Sequence, residues 1–192
     1  MDRRKRRLIL VATIVAIAPG IFLLLRPRRP SLGETLPQAE RLVIYEGLPH
    51  QMYEEDAYRA EVSSAKTIQL AGYPFYQTPL TLSGDDLKSL RTMLEDGGLF
   101  DEFTGEKKCG GFHPDYAVEW SSGGETFRVL LCFGCGEALV EGPRGKVERY
   151  DLVRGKRDGL IELLKKQRKN RPPHERFGPL AAQPTRAMRH FR

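Results

Sequence analysis

The sequence predicts an α+β fold: a small antiparallel sheet of about five to six strands with two helices packed on one face, preceded by one transmembrane helix. Three observations predict it. Short apolar segments alternate with polar residues and are joined by tight Gly-rich turns. Two other segments repeat leucine at helical spacing. Near the N-terminus, 18 uncharged residues at 8–25 run between basic clusters. That is about the length needed to cross a bilayer at roughly 1.5 Å per residue.

Asp2-Arg3-Arg4-Lys5-Arg6-Arg7 precedes this apolar run, and Arg26, Arg28 and Arg29 stop it. Pro19-Gly20 interrupt it, which membrane helices tolerate. Ala16-Ile17-Ala18 also resembles a signal-peptidase site, so cleavage stays open. Six further apolar or small residues and the proline after the site favour an uncleaved signal anchor. Five basic residues before the run against three after it place the N-terminus in the cytoplasm and the rest outside. The expected organisation is an anchor at 1–25, a Pro-rich linker at 26–40, an α+β domain at 41–169 and a disordered basic tail at 170–192. Pro27, Pro30 and Pro37 with Gly33 mark the linker. Pro172, Pro173, Pro179 and Pro184 among scattered arginines mark the tail.

Within the domain, residues 41–47 form a short strand. Residues 66–72 form a second, with Ile68 and Leu70 on one face. Ser83-Gly84-Asp85-Asp86 has the form of a capping box, with Ser83 as N-cap and Asp86 at N3. Leu87, Leu90 and Leu94 follow at helical spacing until Gly97-Gly98. Residues 116–120 and 126–133 alternate around Ser121-Ser122-Gly123-Gly124-Glu125, a hairpin signal. Residues 137–141 and 146–152 flank Gly142-Pro143-Arg144-Gly145, a second hairpin. Asp158 caps a helix that runs to Gln167.

The chain has 192 residues, 31 Lys+Arg and 25 Asp+Glu, a formal charge of +6. The charge is unevenly spread. Residues 1–30 hold eight basic residues and one acid, and residues 165–192 hold nine and one. The middle, 31–164, holds 14 and 23, a net of −9. An acidic folded part argues against nucleic acid as partner. No phosphate-binding loop, dinucleotide fingerprint or nucleophile elbow is present, and no catalytic set is assigned.

The chemistry-bearing residues lie at the ends of the central hairpin. Cys109-Gly110-Gly111-Phe112-His113-Pro114-Asp115-Tyr116 opens it, and Cys132-Phe133-Gly134-Cys135-Gly136 closes it. Pairing the two strands brings both ends to one edge. Four readings compete. Cys109, His113, Cys132 and Cys135 have the ligand types of a tetrahedral structural zinc site. Cys109 could instead form a disulfide with Cys132 or Cys135, stapling the hairpin base in an oxidising compartment. Cys132 and Cys135 could be a redox pair, but no helix N-terminus follows them to lower a thiol pKa. Plain buried thiols are the fourth reading.

Cys-Gly-Gly-Phe-His-Pro-Asp-Tyr-Ala followed by Leu-Leu-Cys-Phe-Gly-Cys-Gly resembles a segment of uncharacterised bacterial exported or membrane-anchored proteins. Tyr45-Glu46-Gly47-Leu48-Pro49-His50 and Gly72-Tyr73-Pro74-Phe75-Tyr76 are lesser matches, and the similarity spans about residues 45–165. The resemblance implies an exported α+β architecture and no activity.

Other residues read as structural. His50 is a loop histidine. Glu54-Glu55-Asp56 is an acidic run facing water. Tyr73, Phe75 and Tyr76 are core rather than a groove. Asp115 is two residues from His113 and can share a strand face with it. The sequence therefore leads to a single-pass membrane protein whose extracytoplasmic module binds an envelope protein or polymer, with a Cys/His cluster of structural role. The alternative is a thiol- or metal-dependent enzyme using Cys109, His113, Cys132 and Cys135.

Overall fold

A computed structural model describes residues 32–105, 107 and 110–171. All of them belong to one compact unit that begins at Leu32. The apolar run at 8–25 and residues 172–192 lie outside the described residues. Among the described residues, no helix is long and apolar enough to cross a membrane.

The architecture is α+β. Its main sheet has six strands, all antiparallel, in the order β1-β5-β6-β7-β8-β4. These are β1 (Leu42–Glu46), β4 (Phe100–Glu102), β5 (Tyr116–Ser122), β6 (Glu125–Cys132), β7 (Glu137–Glu141) and β8 (Val147–Leu152). Strands β2 (Thr67–Leu70) and β3 (Tyr73–Tyr76) form a separate two-stranded hairpin. The helices are α1 (Leu32–Thr35), α2 (Glu55–Ser64), α3 (Gly84–Glu95) and α4 (Arg154–Lys166).

The strand pairs follow from local chemistry. Gly123 and Gly124 carry φ of 60° and 77°, the left-handed pair that a two-residue hairpin turn needs. They set β5 against β6 from Tyr116↔Leu131 to Ser122↔Glu125. Ser83 caps the helix as expected: its Oγ accepts from Asp86 N at 3.1 Å, and α3 follows; the Asp86 carboxylate accepts from Ser83 Oγ and Gln167 Nε2.

Period-two alternation sends Tyr116, Val118, Trp120, Phe127, Val129 and Leu131 to one face. Leu90 and Leu94 of α3 and Leu160, Leu163 and Leu164 of α4 pack there as the main core. The opposite face is also covered, by the β2–β3 hairpin. Leu70 and Phe75 press on Ala117, Leu130 and Leu139. The end of β6 is therefore buried on both sides, which explains its unbroken run Val129-Leu130-Leu131-Cys132.

Four expectations change. Residues 66–72 do not add a strand to the main sheet; they pair with Tyr73–Tyr76 and lie across it. Helix α4 starts at Arg154, not at Asp158. Lys156 N and Arg157 N both donate to Val153 O, so β8 passes into the helix through backbone bonds without a side-chain cap. The segment read as linker is folded from Leu32 onward. Leu36 and Ala39 are buried, and Arg91 donates to both of their carbonyls at 2.8 Å. The acidic run is not all at the surface, because Glu54 is buried just before α2, a helix that buries none of its own residues.

Thr35 secures the N-terminal segment. Its Oγ1 accepts from the Trp120 indole N–H at 3.2 Å inside the core. Thr35→Val would leave that donor buried without its acceptor. The expected loss is about 1–3 kcal/mol in urea unfolding of the full chain. A change near zero would mean that the N-terminal segment does not close the core.

Candidate functional site

The end of the sheet that carries Tyr116 and Cys132 gathers most of the chemistry. Gly47, just past β1, makes this possible. A Cβ there would stand 2.0 Å from the Pro114 carbonyl oxygen, so only glycine lets the two backbones touch. Gly47 N donates to Asp115 O at 2.8 Å, and Asp115 N donates to Leu131 O at 2.7 Å. Asp115 is thereby locked between β1 and β6. Its Oδ2 accepts from Phe133 N at 2.8 Å and its Oδ1 from Arg171 Nη1 at 3.2 Å.

Glu54 faces Asp115 across the Arg171 guanidinium. Its Oε2 accepts from His50 N at 2.7 Å and from Arg171 Nη2. Glu54 and Arg171 are 6% and 9% exposed. A third carboxylate, Glu46 at 1% exposure, accepts from Lys169 N at 3.1 Å and Asn170 N at 2.6 Å through Oε2. Asn170 Nδ2 donates to Thr78 O at 2.9 Å. Residues 169–171, expected to straddle the start of a disordered tail, are instead held in the fold by three acids.

His50 and His113 lie in contact beside this clamp, with ring centroids 4.5 Å apart and planes tilted by 33°. His50 Nδ1 accepts from Met52 N and Tyr53 N, and His113 Nε2 lies 3.2 Å from Pro49 O. These partners place the proton of each neutral ring on Nε2. Burial lowers both pKa values. At His50 the neighbouring His113 lowers it further; at His113, Asp115 pulls the other way. Both rings are neutral at pH 7.

Cys132 is a buried free thiol. Its sulfur accepts from Cys135 N at 3.2 Å. Burial, then the Asp115 charge, pushes its pKa up to about 12. At neutral pH it is a thiol and not a nucleophile. Cys135 is disulfide-bonded, and its sulfur lies 3.3 Å from Gly111 O. Cys109, the remaining member of the predicted cluster, lies outside the described residues. Among the described residues, no three His, Cys, Asp or Glu side chains converge as metal ligands.

The fold thus brings His113, Cys132 and Cys135 to one place, as the hairpin geometry predicts. Sequence reasoning missed Glu46, Glu54, Arg171 and the contact of His50 with His113. Glu46 left a signal: it shares the period-two face of Leu42 and Ile44, which is buried. Elsewhere, a cleft of about 370 Å³ lies at the opposite end of the β5–β6 hairpin, between Gln38, Arg41, Val43, Glu119 and the Ser122–Gly124 turn. Of its two acids, Glu40 and Glu119, the second is paired with Arg128 at 2.6 Å. No family model matches the chain, and no curated protein or solved structure matches it.

The two histidines set a pH dependence. Held neutral in the fold, each takes up a proton on unfolding below its ordinary pKa of 6.5. Their contribution is therefore present above about pH 6.5 and lost as the pH falls through the lowered folded values. Asp96, Glu148 and Asp151, whose pKa values are lowered, act in a separate window below about pH 4. The thermal midpoint should fall between pH 7 and 5, and His113→Asn should flatten that slope. An unchanged slope in the variant would remove His113 as its source.

Proposed function

We propose that this protein is a membrane-tethered module whose folded domain lies outside the cytoplasm and works by binding an envelope protein or polymer, not by catalysis. The carrying observation is the commitment of the site's reactive groups to the fold. Asp115 and Glu54 hold backbone amides and Arg171, Glu46 holds the backbone of residues 169 and 170, and the Cys132 thiol stays protonated. None is presented as an acid, base or nucleophile toward solvent. The tethering half of the reading rests on the 8–25 run and its basic flanks.

In this reading the cysteines are structural. Of three cysteines, Cys132 is free and Cys135 is disulfide-bonded, so we assign Cys109 as its partner. Such a bond would tie the chain before β5 to the loop after β6, as suits an oxidising compartment.

A topology reporter fused after Gln183 should be active only outside the cytoplasm, and the protein should resist carbonate extraction. Cytoplasmic activity, or release by carbonate, would overturn the tethering. The denatured protein should titrate one thiol before reduction and three after it, and chelators should leave its melting temperature unchanged. Cys109→Ser should lower stability by about 2–5 kcal/mol. One zinc per chain, lost in His113→Ala, would replace the disulfide with a metal site.

A further inference from the structure

Residues 168–171 form a strap that crosses the acidic end of the sheet. The strap supplies no apolar side chain to either core cluster. The contacts that hold it across this end are polar: Glu46 takes two successive peptide N–H groups, Thr78 O takes the Asn170 amide, and Glu54 with Asp115 takes the guanidinium. These are the contacts with which a protein reads an extended polar peptide.

The receiving groups are positioned without the strap. Glu54 is fixed by His50 N, and Asp115 by Phe133 N. Burial lowers the pKa of the neighbouring His50 and His113, so neither ring competes with the guanidinium as a cation at pH 7. With the strap out, two fixed carboxylates would face one gap, spaced for the two Nη groups of a guanidinium. A planar fork satisfies that geometry, and a lysine ammonium does not. The buried Glu46 adds a second, independent indication. Its Oε2 binds the strap backbone, while its Oε1 is buried with no hydrogen-bond partner among the described residues. Glu46 holds more acceptor capacity than the strap satisfies.

We propose that this end of the sheet is a binding site for an arginine in an extended peptide segment, held occupied in cis by Arg171. A short tether gives the cis segment an effective concentration of about millimolar, so it masks the site against weaker ligands in trans. The proposal gives a ligand class to the binding module proposed above. Its chemistry is independent of the membrane topology, so failure here would leave the reporter result standing, and the reverse.

The test uses the full chain in detergent micelles and a fluorescent peptide copying residues 168–173, Arg-Lys-Asn-Arg-Pro-Pro. Anisotropy should show the peptide binding Arg171→Ala at least tenfold more tightly than wild type. A control peptide with lysine in place of the second arginine should bind at least tenfold more weakly. Adding Glu54→Gln to Arg171→Ala should abolish the difference between the peptides. Arg171→Lys, which keeps one positive charge, provides a second open variant if Arg171→Ala does not fold, and Trp120 fluorescence reports folding. Equal binding to wild type and variants, or equal binding of the two peptides, would overturn the proposal.

Discussion

The ion pair between Arg171 and Glu54, shared with Asp115, holds the acidic end of the sheet together. A buried carboxylate is expensive to desolvate, and removing one partner of a buried pair typically destabilises by about 3–5 kcal/mol. Here one guanidinium answers two carboxylates that lie 117 and 56 residues away in sequence. It joins the end of the chain's folded part to the start of α2 and the start of β5. The neighbouring Glu46 extends the same logic to the backbone, taking the N–H groups of residues 169 and 170.

That clamp requires close backbone approach, and Gly47 supplies it. With Gly47 against Pro114, Asp115 continues the sheet by one residue and its side chain is free to cap Phe133 and meet Arg171. The sheet beside it is covered on both faces, by α3 and α4 on one side and the β2–β3 hairpin on the other. Burial lowers the histidine pKa values and raises that of Cys132. The charged clamp and the neutral histidines and thiol are thus two results of one packing arrangement.

Much of this was legible in residue order where the cause is local. Alternation, paired glycines and the Ser83 N-cap define the β5–β6 hairpin, the β7–β8 hairpin and α3. The meeting of His113 with the Cys132–Cys135 turn follows from hairpin closure alone. What was not legible depends on contacts distant in sequence. An acidic run such as Glu54-Glu55-Asp56 reads as solvent-facing until Arg171 returns to it. Arg171, beside two prolines in a basic stretch, carries no local mark of burial. The β2–β3 hairpin has the pattern of a sheet strand, and only packing shows that it lies across the sheet. Helix α4 starts without a side-chain cap, so no residue type announces its first turn.

The most direct measurement of the clamp is a double-mutant cycle on Arg171→Met and Glu54→Gln, read by urea unfolding of the full chain. If the pair organises this end of the sheet, each single change leaves an unmatched buried group. The double variant should then lose clearly less than the sum of the singles, with a coupling of at least about 1.5 kcal/mol. Additive losses would contradict it, because the strap would then be held without the guanidinium–carboxylate pair.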